Sequence, residues 1–413
     1  MRVQIWSYNY DPEPTGIGPV STTLARALHE RGHDVHVVAA FPHYPAPVWG
    51  KRRLPYRERR DSIEVLRLPL WVGRATAAQR YRQELTFLAA QFAALPAMRR
   101  ADVSVVVSPS FPALLAAIVA HRLRRAPWIL WLQDILPDGA FTTGFVDEGG
   151  AVLVASRRLE SAAYRSAALI VVPSQAFRHN LRGKGVADDK IRLIENPATR
   201  QPRRPPDDAD SNPSKPWSVL AMGNIGHSQG LAPLVEAFEA SELSRDDVRL
   251  RITGVGVAAS DVEARVRSDR VQMLGLASDD ELEAELRDAN IGFVSQHYAG
   301  TEFNIPSKIT NFMVYGLPIL AAVNPGSEVA RIVEQSGGGW VVDSSRPELF
   351  PLKIAKLLAR PAEVLQCRRA AARYAATHFT VPTFAERFET VLREVMPGSV
   401  VRAEGGVRGR ATF

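Results

Sequence analysis

A short stretch in the second half of the sequence combines residue types that can bind an anion. Residues 302–308 read Glu-Phe-Asn-Ile-Pro-Ser-Lys and end where a helical pattern begins. Ser307 is of a type that caps helix N-termini, and the backbone N–H groups exposed there bind phosphate. Lys308 adds a positive charge to the first turn, where the helix dipole disfavours a cation. The pattern indicates an anion site at this helix start; the alternative is an ordinary helix start with a solvated lysine.

Three glycine-rich turns follow predicted strands, but none completes a dinucleotide-binding fingerprint. Gly16-x-Gly18 is a near miss, and residues 254–259, beginning at Gly254, match G-x-G-x-x-A. Both lack the acid that such a domain places about 20 residues further on, so NAD is disfavoured. The absence of a G-x-x-x-x-G-K-[ST] motif argues against a P-loop ATPase or kinase in the same way. The third turn precedes a helix, so its backbone can approach a phosphate closely; its members include Gly223, Asn224, Gly226 and Gln229.

Metal and redox chemistry find little support in the sequence. Asp208 and Asp210 form the D-x-D pattern of metal-dependent sugar transferases, but they lie in a proline-rich segment, so we interpret them as solvated charges. No other pair of acids has convincing metal spacing, and the nine histidines are scattered. The single cysteine, Cys367, excludes an internal disulfide framework and a multi-cysteine metal site. We therefore expect no metal and no cofactor other than a co-substrate.

The elements that must position these residues alternate between strand and helix almost throughout. Nearly continuous apolar runs at residues 102–108, 128–134 and 168–174 are typical of strands buried on both faces, hence of a parallel sheet covered by helices. The rhythm stops at residues 199–216, where five prolines mark a linker, and then restarts. The sequence therefore predicts an α/β protein of two doubly wound Rossmann-like domains that face each other across a cleft.

The predicted boundaries follow from this break. Residues 1–198 form the first domain, residues 199–216 the linker and residues 217–380 the second domain. A helical pattern over residues 381–396 is expected to pack back toward the first domain. Residues 397–413 are expected to be disordered.

Positive charge is concentrated in the first half of the chain. The net charge is +7, and residues 1–200 contain 27 Lys and Arg against 17 Asp and Glu. Part of the excess lies in residues 51–60, a predicted loop beside Trp49, Tyr56 and Trp71, which is either a solvated surface, an anionic-membrane contact or a nucleic-acid contact. No nucleic-acid motif accompanies it. No apolar stretch reaches the roughly 20 residues of a membrane span, and acids interrupt the start before a signal peptide can form. We expect a cytoplasmic protein, peripheral on the inner face of the plasma membrane.

Several stretches together resemble glycosyltransferase family 4, the retaining transferases of GT-B fold, in the branch associated with colanic acid and other exopolysaccharides. The resemblance covers about 395 residues. The order of the stretches and their places at strand ends support it. They are residues 8–18 (Tyr-Asn-Tyr-Asp-Pro-Glu-Pro-Thr-Gly-Ile-Gly), 42–45 (Pro-His-Tyr-Pro), 131–137 (Trp-Leu-Gln-Asp-Ile-Leu-Pro), 223–226 with 229–231, and 305–308 with 316–319.

The resemblance implies that the second domain binds a nucleotide-sugar and the first binds the acceptor. It implies that Glu302 contacts sugar hydroxyls and that Asp134 orients or deprotonates the acceptor hydroxyl, although capping the following loop is an equal alternative for Asp134. Together with Lys308, these are the predicted catalytic residues. Acceptor contacts are expected at His43 and Tyr44. The predicted donor contacts are Gly16, Gly18, Gly223, Asn224, Gly226, Gln229, Gly254, Leu276 (to the base), Asn304, Ile305, Ser307 and Asn311 (near the ribose).

The sequence departs from the family pattern in its charges. Glu302 lies one place out of register for the usual E-x(7)-E pair, and Asn311 replaces the second acid. The Arg and Lys that commonly neutralise the diphosphate correspond to Asn224 and Gln229. Stabilisation of the leaving group would then depend on helix N–H groups and Lys308.

The hypothesis is a hexosyltransferase that moves a sugar from a nucleoside diphosphate to a lipid-linked saccharide in exopolysaccharide or cell-surface glycan assembly, with retention and without metal. One alternative is an epimerase-type enzyme on the same fold. Another is a degenerate sugar-nucleotide-binding or scaffold subunit without turnover, which the three replaced charges would favour.

Overall fold

Two structural units make up the chain; the first is built on a mainly parallel sheet and the second on a parallel sheet. The computed structural model describes residues 1–13, 16–43, 53–73, 76–108, 113–134, 151–200, 202, 216–298 and 306–396. The first unit comprises Met1–Val171, Val186–Arg192 and the residues from Ala385 onward, and the second comprises Val172–Gly185 and Leu193–Phe384. The chain therefore passes between the units four times, and none of these passages lies within residues 199–216.

The first sheet has eight strands, in the order β3-β4-β2-β1-β5-β6-β7-β8. β3 is antiparallel to β4, whereas β4, β2, β1, β5, β6 and β7 pair in parallel. The strands β6 and β7 are buried along their whole length, as expected for strands covered on both faces. The bounds are β1 Arg2–Ser7, β2 Asp34–Ala40, β3 Tyr56–Arg60, β4 Ile63–Leu68, β5 Val103–Val107, β6 Trp128–Trp131, β7 Leu169–Val172 and β8 Ile191–Leu193.

Helices connect these strands. Parallel crossovers are right-handed, so α1, which leads from β1 to β2, lies on the opposite face of the sheet from α2, α3 and α4, which step the other way. The bounds are α1 Gly18–Glu30, α2 Ala77–Ala94, α3 Ala113–Arg124, α4 Ala151–Ser166 and α5 Gln175–Gly183, with short 3-10 turns at Leu95–Ala97 and Asp188–Lys190.

The second sheet has six strands, all parallel, in the order β11-β10-β9-β12-β13-β14. Along β9, Val219 packs into one hydrophobic cluster and Leu220 into another, so this sheet also is buried on both faces. The strands are β9 Trp217–Met222, β10 Val248–Thr253, β11 Val271–Gly275, β12 Ile291–Ser295, β13 Ile319–Val323 and β14 Gly339–Asp343.

The second half of the chain contributes eight further helices among the described residues. These are α6 Leu231–Glu239, α7 Ala259–Glu263, α8 Asp279–Asp288, α9 Ser307–Val314, α10 Glu328–Ser336, α11 Leu349–Leu358, α12 Pro361–His378 and α13 Val381–Glu394, and a 3-10 turn covers His227–Gln229. Within the described part of the chain, no helix combines the length and the apolarity that crossing a membrane requires.

The last helix, α13, packs on the first unit from Ala385 onward. The ring of Phe388 meets Trp131 of β6 edge-on, with 4.8 Å between ring centroids. Glu389, 6% exposed, accepts hydrogen bonds from Arg31 (2.7 Å) and pairs with His33 (2.8 Å) at the end of α1. One buried carboxylate thus ties this helix to the turn between α1 and β2.

The predicted loop between β2 and β4 is partly wrong, because Tyr56–Arg60 forms the edge strand β3. Arg57 forms an ion pair with Glu64, and Arg60 lies 3.6 Å from a carboxylate oxygen of Asp11. Glu64 belongs to β4 and Asp11 to the loop after β1, so the charges of these two arginines are balanced locally. The neighbouring Trp49, Lys51 and Arg52 lie outside the described residues.

Candidate functional site

The loop after β1 is organised around a buried carboxylate, that of Glu13. Its side chain is 1% exposed and accepts hydrogen bonds from the Asn9 amide (3.0 Å), the Tyr10 backbone (3.2 Å) and the His43 backbone (2.9 Å). The loops that follow β1 and β2 are therefore joined at the carboxyl edge of the first sheet. Sequence reasoning assigned no role to Glu13, because its burial cannot be read from a motif that also contains Asn9 and Asp11.

The two glycines of this loop have different requirements. Gly16 has φ +67°, and a Cβ there would meet nothing within 4 Å. A Cβ on Gly18 would lie 2.8 Å from the carbonyl oxygen of Glu13. Gly18 is thus needed for the loop to pack on itself, while the backbone at Gly16 borders open space.

The structure places His43 inside this loop. The residue is 1% exposed, its Nδ1 lies 2.8 Å from the Phe41 carbonyl oxygen, and its ring meets Tyr8 edge-on at 4.8 Å. The imidazole is therefore buried within the loop and shielded from solvent, and its expected contact with the acceptor stays a prediction. Tyr44, the other expected acceptor contact, lies outside the described residues.

A buried arginine reinforces the same edge. Arg67 of β4 is fully buried and donates to the backbone carbonyls of Asp11 and Ala40 (3.2 Å to the latter) and to the carboxylate of Glu58 (2.8 Å). Its guanidinium also lies 5.7 Å from the ring centroid of Tyr10, whose pKa burial raises. The signal available in the sequence was a charged residue between Leu66 and Leu68 in an apolar strand.

In the second unit, predicted phosphate-binding residues of the glycine turn and of α9 line one shallow depression. Its lining joins the ends of β9, β10 and β12 to the start of α9, and includes Gly223, Asn224, Gln229, Thr253, Ser295 and Lys308. We call it the donor depression. Parallel strands end at this edge, so the structure brings together residues more than 80 positions apart in sequence.

Two glycine turns form one wall of the donor depression by packing on each other. The backbone N–H of Gly223 donates to Thr253 and that of Ile225 to Val255, both at 2.9 Å. A Cβ on Gly254 would lie 1.8 Å from the carbonyl oxygen of Gly223. The packing of the two turns therefore accounts for glycine at 254, which we had expected to approach the donor directly.

The anion-binding pattern at the start of α9 is present, with one correction. Pro306 is the N-cap residue, with φ −59° and ψ 131°, and no side-chain capping bond is formed, so the expected cap by Ser307 is wrong. Ser307 is instead the first helical residue. Lys308 follows in the first turn, and its Nζ donates to the side-chain oxygen of Gln229 at 3.3 Å. Gln229 thus holds the ammonium beside the glycine turn.

Asn311 has a different environment from the expected ribose contact. It is 6% exposed, its Oδ1 accepts from the Arg200 backbone (3.1 Å), and its Nδ2 donates to the Thr199 hydroxyl (3.2 Å). The amide is engaged in fixing the chain at residues 199–200 to α9, because an amide both donates and accepts where the usual carboxylate only accepts.

The remaining predicted residues are more dispersed. Leu276, 77% exposed, follows β11 at the same sheet edge as Gly254, whose N–H donates to Gly275 at 2.7 Å. Gly226 precedes the 3-10 turn that ends before Gly230. Asp134 is exposed, three residues beyond the end of β6 in the first unit. Glu302, Asn304 and Ile305 lie outside the described residues.

Solved structures with the same architecture define the class of protein. The chain is similar to HepE of Anabaena in complex with UDP and glucose, with a TM-score of 0.67 at 16% identity, covering 95% of this chain and all of HepE. It is also similar to WaaG, a glycosyltransferase involved in lipopolysaccharide biosynthesis, with a TM-score of 0.64 at 14% identity, covering 96% of this chain and all of WaaG. With its two parallel α/β units, the protein has the GT-B fold of glycosyltransferases, as predicted.

Sequence comparisons define the family. The glycosyl transferase 4-like domain matches residues 15–197, and glycosyl transferases group 1 matches residues 204–376. A protein of Escherichia coli (strain K12) named as a colanic acid biosynthesis glycosyl transferase, WcaI, is 26% identical over 356 residues, covering 82% of this chain and 87% of WcaI. The chain belongs to glycosyltransferase family 4, in the branch that the sequence motifs predicted.

Proposed function

We propose that the protein transfers a sugar from a nucleoside diphosphate sugar, bound in the donor depression, to a saccharide acceptor. The observation that carries this proposal is the contact of Lys308 Nζ with Gln229 at the start of α9, beside the glycine turn. A cation and a helix N-terminus directed to one place suit a diphosphate. HepE, which shares the fold, is described with UDP and glucose, which agrees with a nucleotide donor.

The chemistry required is stabilisation of a leaving group. As the bond from the anomeric carbon to the diphosphate breaks, negative charge grows on the departing phosphate oxygen. The ammonium of Lys308 and the first-turn N–H groups of α9 would hold this charge. Gln229 is neutral, so it would act as a positioning residue that fixes the ammonium by accepting its hydrogen bond.

In this arrangement, α9 supplies the positive charge that the family pattern places at positions 224 and 229. The usual Arg and Lys positions hold Asn224 and Gln229, and both line the donor depression together with Lys308. Because the side chain of Lys308 reaches Gln229, its ammonium lies beside the end of the side chain at position 229. We infer that the positive charge comes from α9 instead of from the glycine turn, but lies at about the same place in the donor depression.

The acceptor half of the reaction rests on the resemblance. We propose that the first unit holds the acceptor and that Asp134, at the carboxyl edge of the first sheet, orients or deprotonates the attacking hydroxyl. Glu302 would contact sugar hydroxyls of the donor. Transfer would proceed with retention of the anomeric configuration and without a metal, as in the family.

We further propose a lipid-linked saccharide as acceptor, in exopolysaccharide or cell-surface glycan assembly at the inner face of the plasma membrane. The similarity to WcaI and the basic first half of the chain support this role. We also propose that the transferred sugar is a hexose.

A second candidate is a sugar-nucleotide-binding subunit without turnover. Asn311 favours it, because it stands where the family pattern has an acid and its amide is bonded to Thr199 and Arg200. Such a subunit would bind the donor and release no product with any acceptor.

Thermal-shift screening against UDP-, GDP- and dTDP-sugars, followed by nucleotide-release assays with lipid-linked saccharides, tests the proposal. We expect one nucleotide series to stabilise the protein and to support turnover. Lys308→Ala should lower turnover by about 10²-fold or more, while the exposed Lys356→Ala on α11 serves as the matched control. Binding without turnover would favour the second candidate, and an unchanged Lys308→Ala variant would remove this lysine from the mechanism.

A further inference from the structure

One face of α5 carries four polar side chains that line an open cavity of about 370 Å³, which we call the α5 cavity. Small-molecule sites have volumes of roughly 300–1,000 Å³, so this space is large enough for a ligand. Among the described residues, its lining consists of Gln175, Arg178, His179 and Arg182. The opposite face of the helix is apolar and packs inward, since Phe177 and Leu181 are both fully buried.

The four lining side chains follow the helical repeat. They stand at positions i, i+3, i+4 and i+7, so they lie on one side of α5 over two turns. Arg178 is partly buried, whereas His179 and Arg182 are exposed. Arginine, glutamine and histidine side chains all carry N–H groups that donate hydrogen bonds. The α5 cavity is therefore lined by donors and suits a ligand group rich in acceptor oxygens.

The charge that α5 presents to this cavity is positive. Arg178 and Arg182 are four residues apart, and the sequence of α5 contains no acid. Like charges at this spacing destabilise a helix, because the two guanidinium groups lie on neighbouring turns. An anion bound between them offsets that repulsion, and each guanidinium can donate two parallel hydrogen bonds to a phosphate. The two arginines are thus arranged for an anion that carries at least two negative charges.

The N-terminus of α5 is already occupied by a carboxylate. Ser174 caps the helix, and the backbone N–H of Gln175 donates to Oε1 of Glu328 at 3.2 Å. Glu328 is buried and accepts hydrogen bonds from Arg331 at 2.5 and 3.0 Å, so that arginine balances its charge. An anion bound to α5 is therefore held by the lining side chains and not by the helix N-terminus.

The place of α5 in the chain associates its cavity with the acceptor and not with the donor. α5 starts three residues after β7, and β7 pairs in parallel with β6, with Val171 opposite Trp131. The helix therefore starts at the carboxyl edge of the first sheet, the edge at which α/β sheets bind ligands. The described lining of the donor depression comes from other elements, and the two sites share no lining residue.

We propose that the α5 cavity binds the diphosphate of a lipid-linked saccharide acceptor. Arg178 and Arg182 each donate to one phosphate, and Gln175 and His179 donate to the remaining oxygens. A diphosphate suits the two arginines better than a carboxylate, because a carboxylate carries a single negative charge. This inference rests on the proposed function and deepens it, since it names the chemical group by which the acceptor is recognised.

Calorimetric titration of the full chain with inorganic pyrophosphate tests this proposal. Lys308→Ala removes the cation of the donor depression, and we expect pyrophosphate binding at the α5 cavity to persist in this variant. Adding Arg178→Gln and Arg182→Gln should weaken that binding about 10²-fold, roughly tenfold for each arginine. Adding Arg157→Gln and Arg158→Gln instead, at two exposed positions of α4, is the matched control and should leave it unchanged. If the α5 double variant is unstable, Arg182→Gln alone should weaken binding about tenfold.

Steady-state kinetics connect the α5 cavity to the acceptor. With a lipid-linked diphosphate saccharide, Arg178→Gln with Arg182→Gln should raise the KM for the acceptor about 10²-fold and leave the KM for the donor unchanged. With the same saccharide lacking the diphosphate, this variant should turn over as the unaltered protein does. A general loss of structure would change both KM values and both acceptors.

The outcomes separate this proposal from the proposed function. Pyrophosphate binding that is absent in Lys308→Ala, or that is equal in the α5 variant and its control, overturns the α5 site even if sugar transfer is observed. Tighter binding of glucuronate than of pyrophosphate would make the cavity a carboxylate site and would also overturn it. Failure to turn over any acceptor contradicts the proposed function alone, because the titrations measure the α5 cavity directly.

Discussion

Moving one positive charge within the donor depression tests the proposed role of Lys308. Three variants are required: Lys308→Gln, Gln229→Lys, and the double exchange. Nζ of Lys308 lies 3.3 Å from the side-chain oxygen of Gln229, so a lysine at 229 can place its ammonium within a few ångströms of the original position. Two unit charges about 4 Å apart interact by about 4 kcal/mol at an effective dielectric constant of about 20. We therefore expect Lys308→Gln to lower kcat/KM for the donor by about 10²–10³-fold.

The double exchange should recover at least about tenfold of this loss, because the charge returns to the same region from the other element. The assay is nucleotide release at varied donor concentration, with the nucleotide affinity of each variant measured by calorimetry. Lys356→Gln on α11 controls for the loss of a lysine elsewhere in the second unit. A double variant that binds nucleotide normally but turns over no faster than Lys308→Gln would refute the idea that these positions share one task.

Two further predictions concern stability. Gly254→Ala should lower the free energy of unfolding in urea by at least about 3 kcal/mol, because the new Cβ would lie 1.8 Å from a backbone oxygen and the backbone φ is +137°. Gly183→Ala is the control and should have little effect, since a Cβ at 183 would meet nothing within 4 Å. Equal effects of the two substitutions would contradict the packing argument. The hydrogen bond from the Arg31 guanidinium is the main cause that holds the pKa of Glu389 below its usual range. The ionised Glu389 therefore stabilises the folded protein above about pH 4.3, and this stabilisation is lost as the pH falls further. Glu389→Gln should then cost about 2 kcal/mol at pH 7 and much less at pH 3, with the exposed Glu386→Gln as control, and a pH-independent loss would contradict this assignment.

The fold followed from the sequence because its signals are local and repeated. Apolar runs such as Trp128–Trp131 and Leu169–Val172 are short, nearly uninterrupted and separated by helical patterns, which only a parallel sheet buried on both faces satisfies. The edge strand Tyr56–Arg60 was not predicted because four of its five residues are charged. Its place is determined by pairing with β4, which is a tertiary contact.

The placement of a candidate site residue was predictable where it follows from a local pattern, and less so where the residue supports another residue. Pro306 and Ser307 predicted a helix start and therefore the position of Lys308 in the first turn, but they did not predict that Pro306 is the N-cap residue. The environments of Gly254 and Asn311 depend on turns and on chain segments distant in sequence. A motif specifies which residue types occur together, but the packing decides which of them contact a ligand.

The attachment of α13 to the first unit constrains how the protein can be made. Trp131 can contact Phe388 only after about 250 intervening residues have been synthesised, and His33 can contact Glu389 only after about 350. The first unit therefore begins the chain but is completed only when α13 has been made. Chimeras that exchange whole halves at the proline-rich segment would combine α13 of one parent with the first unit of another, and so would replace the residues that contact this helix. A hybrid with a second unit from another parent should therefore take α13 from the parent that supplies β1.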